Sequence, residues 1–99
     1  MQVIISTRAM TASRPYKDGL TRKLAELEPM LPALVATRAV LTREKHRRTA
    51  ALTLLARSRA FRSRETAPDL AVAVDRAVLA LRRQVRETAR RRPRRPPRP

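Results

Sequence analysis

Ninety-nine residues carry 24 Lys and Arg against 8 Asp and Glu, a formal net charge of +16, with no cysteine, one glycine and two aromatic residues. This composition excludes disulfides, cysteine-ligated metals and any glycine-rich phosphate loop, and its apolar runs fall far short of a membrane span. The size is that of one domain, and 42% hydrophobic residues can fill a small aliphatic core of Leu, Val, Ile and Ala.

The opening, MQVIISTRAM, lacks the basic leader and long apolar stretch of a signal peptide. A soluble protein of the reducing cytoplasm is expected. Residues 2–7, QVIIST, are short and β-branched, and predict a strand. Tyr16, Leu20, Leu24, Leu27 and Leu31 then recur at steps of 4, 4, 3 and 4, which is one face of an amphipathic helix. Ser13 suits its N-cap and Pro15 its first turn. Gly19 costs this helix about 1 kcal/mol relative to Ala. Pro29 kinks or ends it, and Pro32 rules out continuation.

Residues 34–43, LVATRAVLTR, predict a second strand and EKHRR a polar turn. Residues 49–56, TAALTLLA, predict a third strand, RSR another turn, and residues 60–65, AFRSRE, a short fourth strand. Thr66 and Asp69 have capping-box spacing, with Pro68 in the first turn of a last helix. Along that helix Leu70, Val74, Ala77, Leu81 and Val85 step by 4, 3, 4 and 4. From Arg90 the sequence is RRRPRRPPRP, whose prolines and like charges predict an extended, disordered tail. The order β-α-β-β-β-α predicts an α+β fold: a two-layer sandwich with two helices on one face of a four-stranded sheet. The domain is expected over residues 1–89 and the Arg/Pro tail over 90–99.

Catalytic chemistry has no constellation to rest on. His46 stands alone in a turn among Lys45, Arg47 and Arg48, and the eight carboxylates are scattered. The chain reads as a binder and not an enzyme, with no cofactor, no metal and no small-molecule substrate. The charge names the partner class. Without residues 90–99 the body still holds 18 basic residues against 8 acidic ones, and such a surplus favours a polyanion, bound with release of its counterions.

On the last helix Arg76, Arg83 and Arg90 recur every seven residues, and Arg82 and Arg86 are four apart. Together they form a basic ridge opposite the apolar stripe, interrupted by Glu87. Arg14, Lys17, Arg22 and Lys23 make the start of the first helix basic, ahead of Glu26 and Glu28. The candidate RNA-binding residues are Lys17, Arg22, Lys23, Arg76, Arg82, Arg83, Arg86 and Arg90. On the fourth strand, alternation sets Arg62 and Arg64 opposite Phe61 and Ser63. The arginine face lacks aromatics, so it suits phosphate contacts better than base stacking. The tail, six Arg without an acid, is expected to act as an added clamp on RNA.

Four segments, MQVIIST, YKDGLTRKLAELE, AVLTREKHRRTAALTL and DLAVAVDRAVLALRRQV, taken in this order and spacing, resemble the ribosome hibernation-promoting factors. These are also called ribosome-associated translation inhibitors, and the likeness is to their short form. It spans about residues 1–88. Its pieces are the opening M-Q-[VIL]-x-I, K-L-x-x-L-E from Lys23 to Glu28, the Glu44–Lys45 turn, the stretch from Asp69 to Asp75, and L-x-R-Q-[LV] from Leu81 to Val85.

The resemblance implies the β-α-β-β-β-α fold and a translation silencer that docks on small-subunit rRNA near the decoding centre, where it blocks mRNA and tRNA. It also implies an assisting factor where ribosomes are paired. Lys17, Lys23 and Arg83 match basic positions of the family; the other ridge arginines come from spacing alone. The chain departs from the family at Ala71, where a Tyr is usual. It departs again at Leu79–Ala80, where an Asp-Lys pair is common, at Pro29, and at Arg64, which stands among the family's acids. The alternatives are a general structured-RNA or DNA binder or RNA chaperone, and a structural or assembly protein of the ribosome.

Overall fold

A computed structural model of the chain describes residues 2–31 and 33–91, with side chains as far as Thr88. Strand β1 (Gln2–Arg8) alternates in exposure: Val3, Ile5 and Thr7 are half-buried, and Gln2, Ile4, Ser6 and Arg8 exposed. Ala9, at φ 58°, begins the turn into helix α1 (Arg14–Ala25). Ser13 caps the helix as expected. Its Oγ accepts the Tyr16 N–H at 3.2 Å, and Pro15 sits in the first turn. The helix stops at Ala25 because a proline ring clashes with the carbonyl four residues before it, and Pro29 stands four residues after Ala25. Pro29 itself opens a single 3₁₀ turn, Glu28–Met30. The expected apolar face survives this break. Leu20, Leu24 and Leu27 are buried, and Tyr16 and Leu31 pack beside them half-buried.

Strands β2 (Leu34–Glu44), β3 (Arg47–Ala56) and β4 (Ala60–Ala67) follow, then helix α2 (Leu70–Arg91). The sheet order is β1-β2-β3-β4, with β1 and β2 parallel and the other pairs antiparallel. β1, β2 and β4 therefore run in one direction, and α1 and α2, each following such a strand, leave from the same end of the sheet. Both lie on one face. The register stacks inward rows such as Val3–Thr37–Leu54–Phe61 and Ile5–Ala39–Leu52–Ser63 beneath them. α2 covers β3 and β4, burying Ala73, Val74, Ala77, Val78, Leu81 and Val85. Two side chains also tie it to β4. The Ser63 hydroxyl donates to the Ala77 carbonyl at 2.8 Å, and Gln84 Nε2 donates to the Arg62 carbonyl at 2.6 Å.

Three local expectations need correction. Thr66 does not cap α2: it remains in β4, where its hydroxyl lies 3.1 Å from that of Thr49. Asp69 is the cap. Its Oδ1 accepts the Ala71 N–H at 2.9 Å and its carbonyl accepts the Ala73 N–H. The β2–β3 turn is tighter than EKHRR. Glu44 and Arg47 already pair, which leaves Lys45–His46 as a two-residue loop with Lys45 at φ 54°. Finally, α2 extends through Arg90 and Arg91, beyond the boundary expected at residue 89. The first proline after it is Pro93, and its restriction on the preceding residue falls on Arg92. The expected disorder of residues 92–99 concerns residues outside those described.

Candidate nucleic-acid interface

The two helices lie side by side and are joined across their seam by two ion pairs of opposite sense. Lys23 of α1 pairs with Asp75 of α2, and Arg82 of α2 pairs through Nη2 with Glu26 Oε2 at 3.0 Å. Pairs this exposed are each worth about 0–1 kcal/mol. Arg82 is the most enclosed of the four side chains, at 32% exposure, and its Nε is buried with no hydrogen-bond partner among the described residues. The Tyr16 phenol lies near the start of the same seam. Burial raises its pKa above the ordinary value, and the carboxylates of Asp75 and Asp69 push it further up.

This seam divides the sequence-predicted residues. Lys23 and Arg82 are occupied by their carboxylate partners. Lys17 is half-buried, and its carbonyl accepts the Thr21 hydroxyl at 2.9 Å. Arg22 on α1 and Arg76, Arg83 and Arg86 on α2 are exposed. They have no ion pair among the described residues. Arg90 is helical in its backbone, and its side chain lies outside the described ones. The basic ridge thus narrows to Arg76, Arg83 and Arg86, with Arg22 on the neighbouring helix. Leu79, 59% exposed, interrupts it where the family resemblance led one to expect a charged pair.

The sequence missed most of a second charged surface. Arg8, Arg38, Arg47, Arg62 and Arg64 all stand on the sheet face turned away from the helices, and all are exposed. Alternation revealed Arg62 and Arg64. Placing Arg8, Arg38 and Arg47 beside them required the pairing register, which no local pattern supplies. Beside the sheet, a shallow cleft lined by Arg59, Phe61, Gln84 and Glu87 opens between β4 and α2. There the Arg59 guanidinium lies 5.8 Å from the Phe61 ring centroid, a cation–π contact. Among the described residues no group of His, Cys, Asp and Glu is placed to hold a metal ion, and no helix is long and apolar enough to cross a membrane.

Comparison with known proteins bears on what this surface meets. The family model described as sigma 54 modulation protein / S30EA ribosomal protein matches residues 3–93. The N-terminal domain of Thermus thermophilus Protein Y superposes with a TM-score of 0.79 at 24% identity, covering 88% of this chain and 98% of that one. A ribosomal subunit interface protein from Coxiella burnetii superposes with a TM-score of 0.84 at 12% identity, covering 92% of this chain and 100% of that one. At these identities the two structures speak for the fold. No curated protein matches the chain. With the family model spanning nearly the whole chain and the β-α-β-β-β-α architecture in place, the protein belongs to the sigma 54 modulation protein / S30EA ribosomal protein family.

Proposed function

We propose that this protein binds the small ribosomal subunit and silences translation by occupying the channel that mRNA and tRNA use near the decoding centre. The observation that carries the reading is the family match over residues 3–93. The surplus of positive charge on the folded body supports rRNA as the contact, because each phosphate neutralised releases counterions. The Coxiella burnetii protein of the same fold is named for the ribosomal subunit interface, which is the setting proposed here.

The mechanism is one of occupancy. The leucine-rich core holds two helices and a sheet as a rigid wedge. Exposed guanidiniums at Arg22, Arg76, Arg83 and Arg86 form charge-assisted hydrogen bonds with rRNA phosphates. Lys23 and Arg82 pair with carboxylates across the helix seam, and Lys17 adds charge near the start of α1. No bond is made or broken, and inhibition follows from competition for one site. Silencing of this kind belongs to idle ribosomes, so the protein is expected to accumulate in starved or stationary-phase cells. Pairing of silenced ribosomes, where it occurs, falls to an assisting factor.

Sedimentation of the purified protein with isolated subunits and total RNA tests the proposal. A silencer comigrates with small subunits and stays bound at moderate salt. A general RNA or DNA binder spreads over all nucleic acid and dissociates steeply as salt rises, and that outcome would overturn the ribosomal reading.

A further inference from the structure

Most of the surplus charge of the folded body lies on its sheet and not on its helices. Residues 9–31 and 68–91, the helix layer, hold ten Lys and Arg against six acids: Asp18, Glu26, Glu28, Asp69, Asp75 and Glu87. The four strands and their two hairpin turns hold ten Lys and Arg against only Glu44 and Glu65. The helix layer is thus four charges positive and the sheet layer eight. An ordinary solvated surface mixes signs, as the helix layer of this same chain does. The sheet layer does not.

Five of the ten sheet-layer cations share the open face. The register gives their arrangement. Ile4, Arg38, Thr53 and Arg62 form one row across the four strands, and Ser6, Val40, Ala51 and Arg64 form the next. Arg8 starts the row after that, and Arg47 lies one step further, opposite Glu44. Arg62 and Arg64 stand about 7 Å apart along one strand, and Arg38 and Arg62 about 10 Å apart across two. Among the described residues Glu44 is the only acid on this face, and it lies 3.8 Å from Arg64 with both side chains well exposed, a weak pair. Among the described residues no other carboxylate on this face offsets the five guanidiniums.

The floor between these arginines is Thr53, Val40 and Ala51, with Ser6 and the exposed Ile4 on the β1 edge. Phe61, the one aromatic of the sheet, points into the core. The face is therefore cationic and offers no aromatic ring for bases to stack on. It suits the phosphate backbone of an RNA duplex, recognised through guanidinium forks and threonine or serine hydroxyls without reading of bases.

We propose that the open sheet face is a second RNA-binding surface, gripping a duplex backbone on the side opposite the helix ridge, so that the wedge is held between two RNA segments. The identity of that RNA as rRNA rests on the ribosomal reading above; the surface itself does not.

The test uses the full chain in three forms: wild type, a sheet variant (Arg8→Gln, Arg38→Gln, Arg62→Gln, Arg64→Gln) and a helix variant (Arg76→Gln, Arg83→Gln, Arg86→Gln). Each is titrated over a range of salt concentrations against a 20-base-pair RNA duplex and against isolated small subunits. The sheet variant is expected to flatten the dependence of log K on log salt by about 3 on both probes, at roughly 0.7–0.9 for each phosphate no longer neutralised. Its affinity is expected to fall at least tenfold, and replacing the same four residues with Lys restores the slope. Should the fourfold variant fail circular dichroism, the double variant Arg38→Gln, Arg62→Gln is read instead, with an expected flattening of about 1.5. A sheet variant that keeps the wild-type slope and affinity, while the helix variant loses both, would overturn the proposal. Wild-type protein that binds duplex RNA in a sheet-dependent way yet ignores small subunits would overturn the ribosomal reading and leave the surface standing.

Discussion

Arg82 makes opposed contributions to the fold, and replacing it with methionine separates them. The substitution keeps an unbranched aliphatic stem and removes the guanidinium. The 3.0 Å pair with Glu26, whose carboxylate side chain is 65% exposed, goes with it; such a pair is worth about 0.2–1 kcal/mol. Removed as well is a buried Nε that has no hydrogen-bond partner among the described residues, a group whose desolvation costs about 1–3 kcal/mol. The second contribution exceeds the first, and imperfect filling of the guanidinium's space takes back part of the gain. Arg82→Met is therefore expected to be as stable as wild type or up to about 2 kcal/mol more stable, a rise in Tm of no more than roughly 15 °C. Its effect on RNA binding is expected to be smaller than that of Arg83→Met, because Arg83 is exposed and has no ion pair among the described residues. Urea unfolding and salt-dependent RNA titration of the two variants give both numbers. A destabilisation of about 2 kcal/mol or more in Arg82→Met would refute the claim that its unpartnered Nε outweighs the Glu26 pair, and a larger drop in RNA affinity than in Arg83→Met would refute the assignment of Arg82 to the helix seam.

Leu81 is fully buried under α2, and Leu81→Ala is expected to cost about 3 kcal/mol, lowering Tm by roughly 12–24 °C in a thermal melt. Lys45 holds a left-handed φ of 54° that costs a side-chain-bearing residue about 1–2 kcal/mol, part of which Gly returns as backbone entropy. Lys45→Gly is therefore expected to raise stability by about 0.5–1 kcal/mol in urea unfolding, and a fall would show that the Lys45 side chain stabilises the turn in its own right. The raised pKa of Tyr16 favours its neutral form in the fold, so its stabilising contribution is complete below the unfolded value near 10 and is lost as pH rises through the higher folded value. Tyr16→Phe is expected to lose less stability than wild type as pH rises above about 10, and parallel losses in the two proteins would exclude this linkage.

Much of the fold was legible because its signals are local. The leucines of α1 and the Leu70-to-Val85 stripe of α2 repeat at helical spacing, and each lies against the core as read. Ser13 announced its cap for the same reason. The errors fell where two chemistries competed for one residue. Thr66 can cap a helix or bond across strands, and only the pairing with Thr49 decides. Lys45 can sit in a long turn or a tight one, and the strand register decides that as well.

The candidate site was less legible than the fold. Spacing placed Lys23 and Arg82 among the basic residues of the helix surface, but their carboxylate partners, Asp75 and Glu26, lie on the other helix, 52 and 56 residues away in sequence. Arg8 and Arg38 belong to different strands, and nothing in either strand alone shows that they share a face with Arg62.

The most direct measurement is competition on isolated small subunits: labelled mRNA and initiator tRNA are bound, and purified protein is titrated in. Occupancy of the channel predicts displacement of both, saturating at one protein per subunit and shifted to at least tenfold higher protein in the sheet variant. Ternary complexes that keep mRNA and tRNA at saturating protein would contradict it.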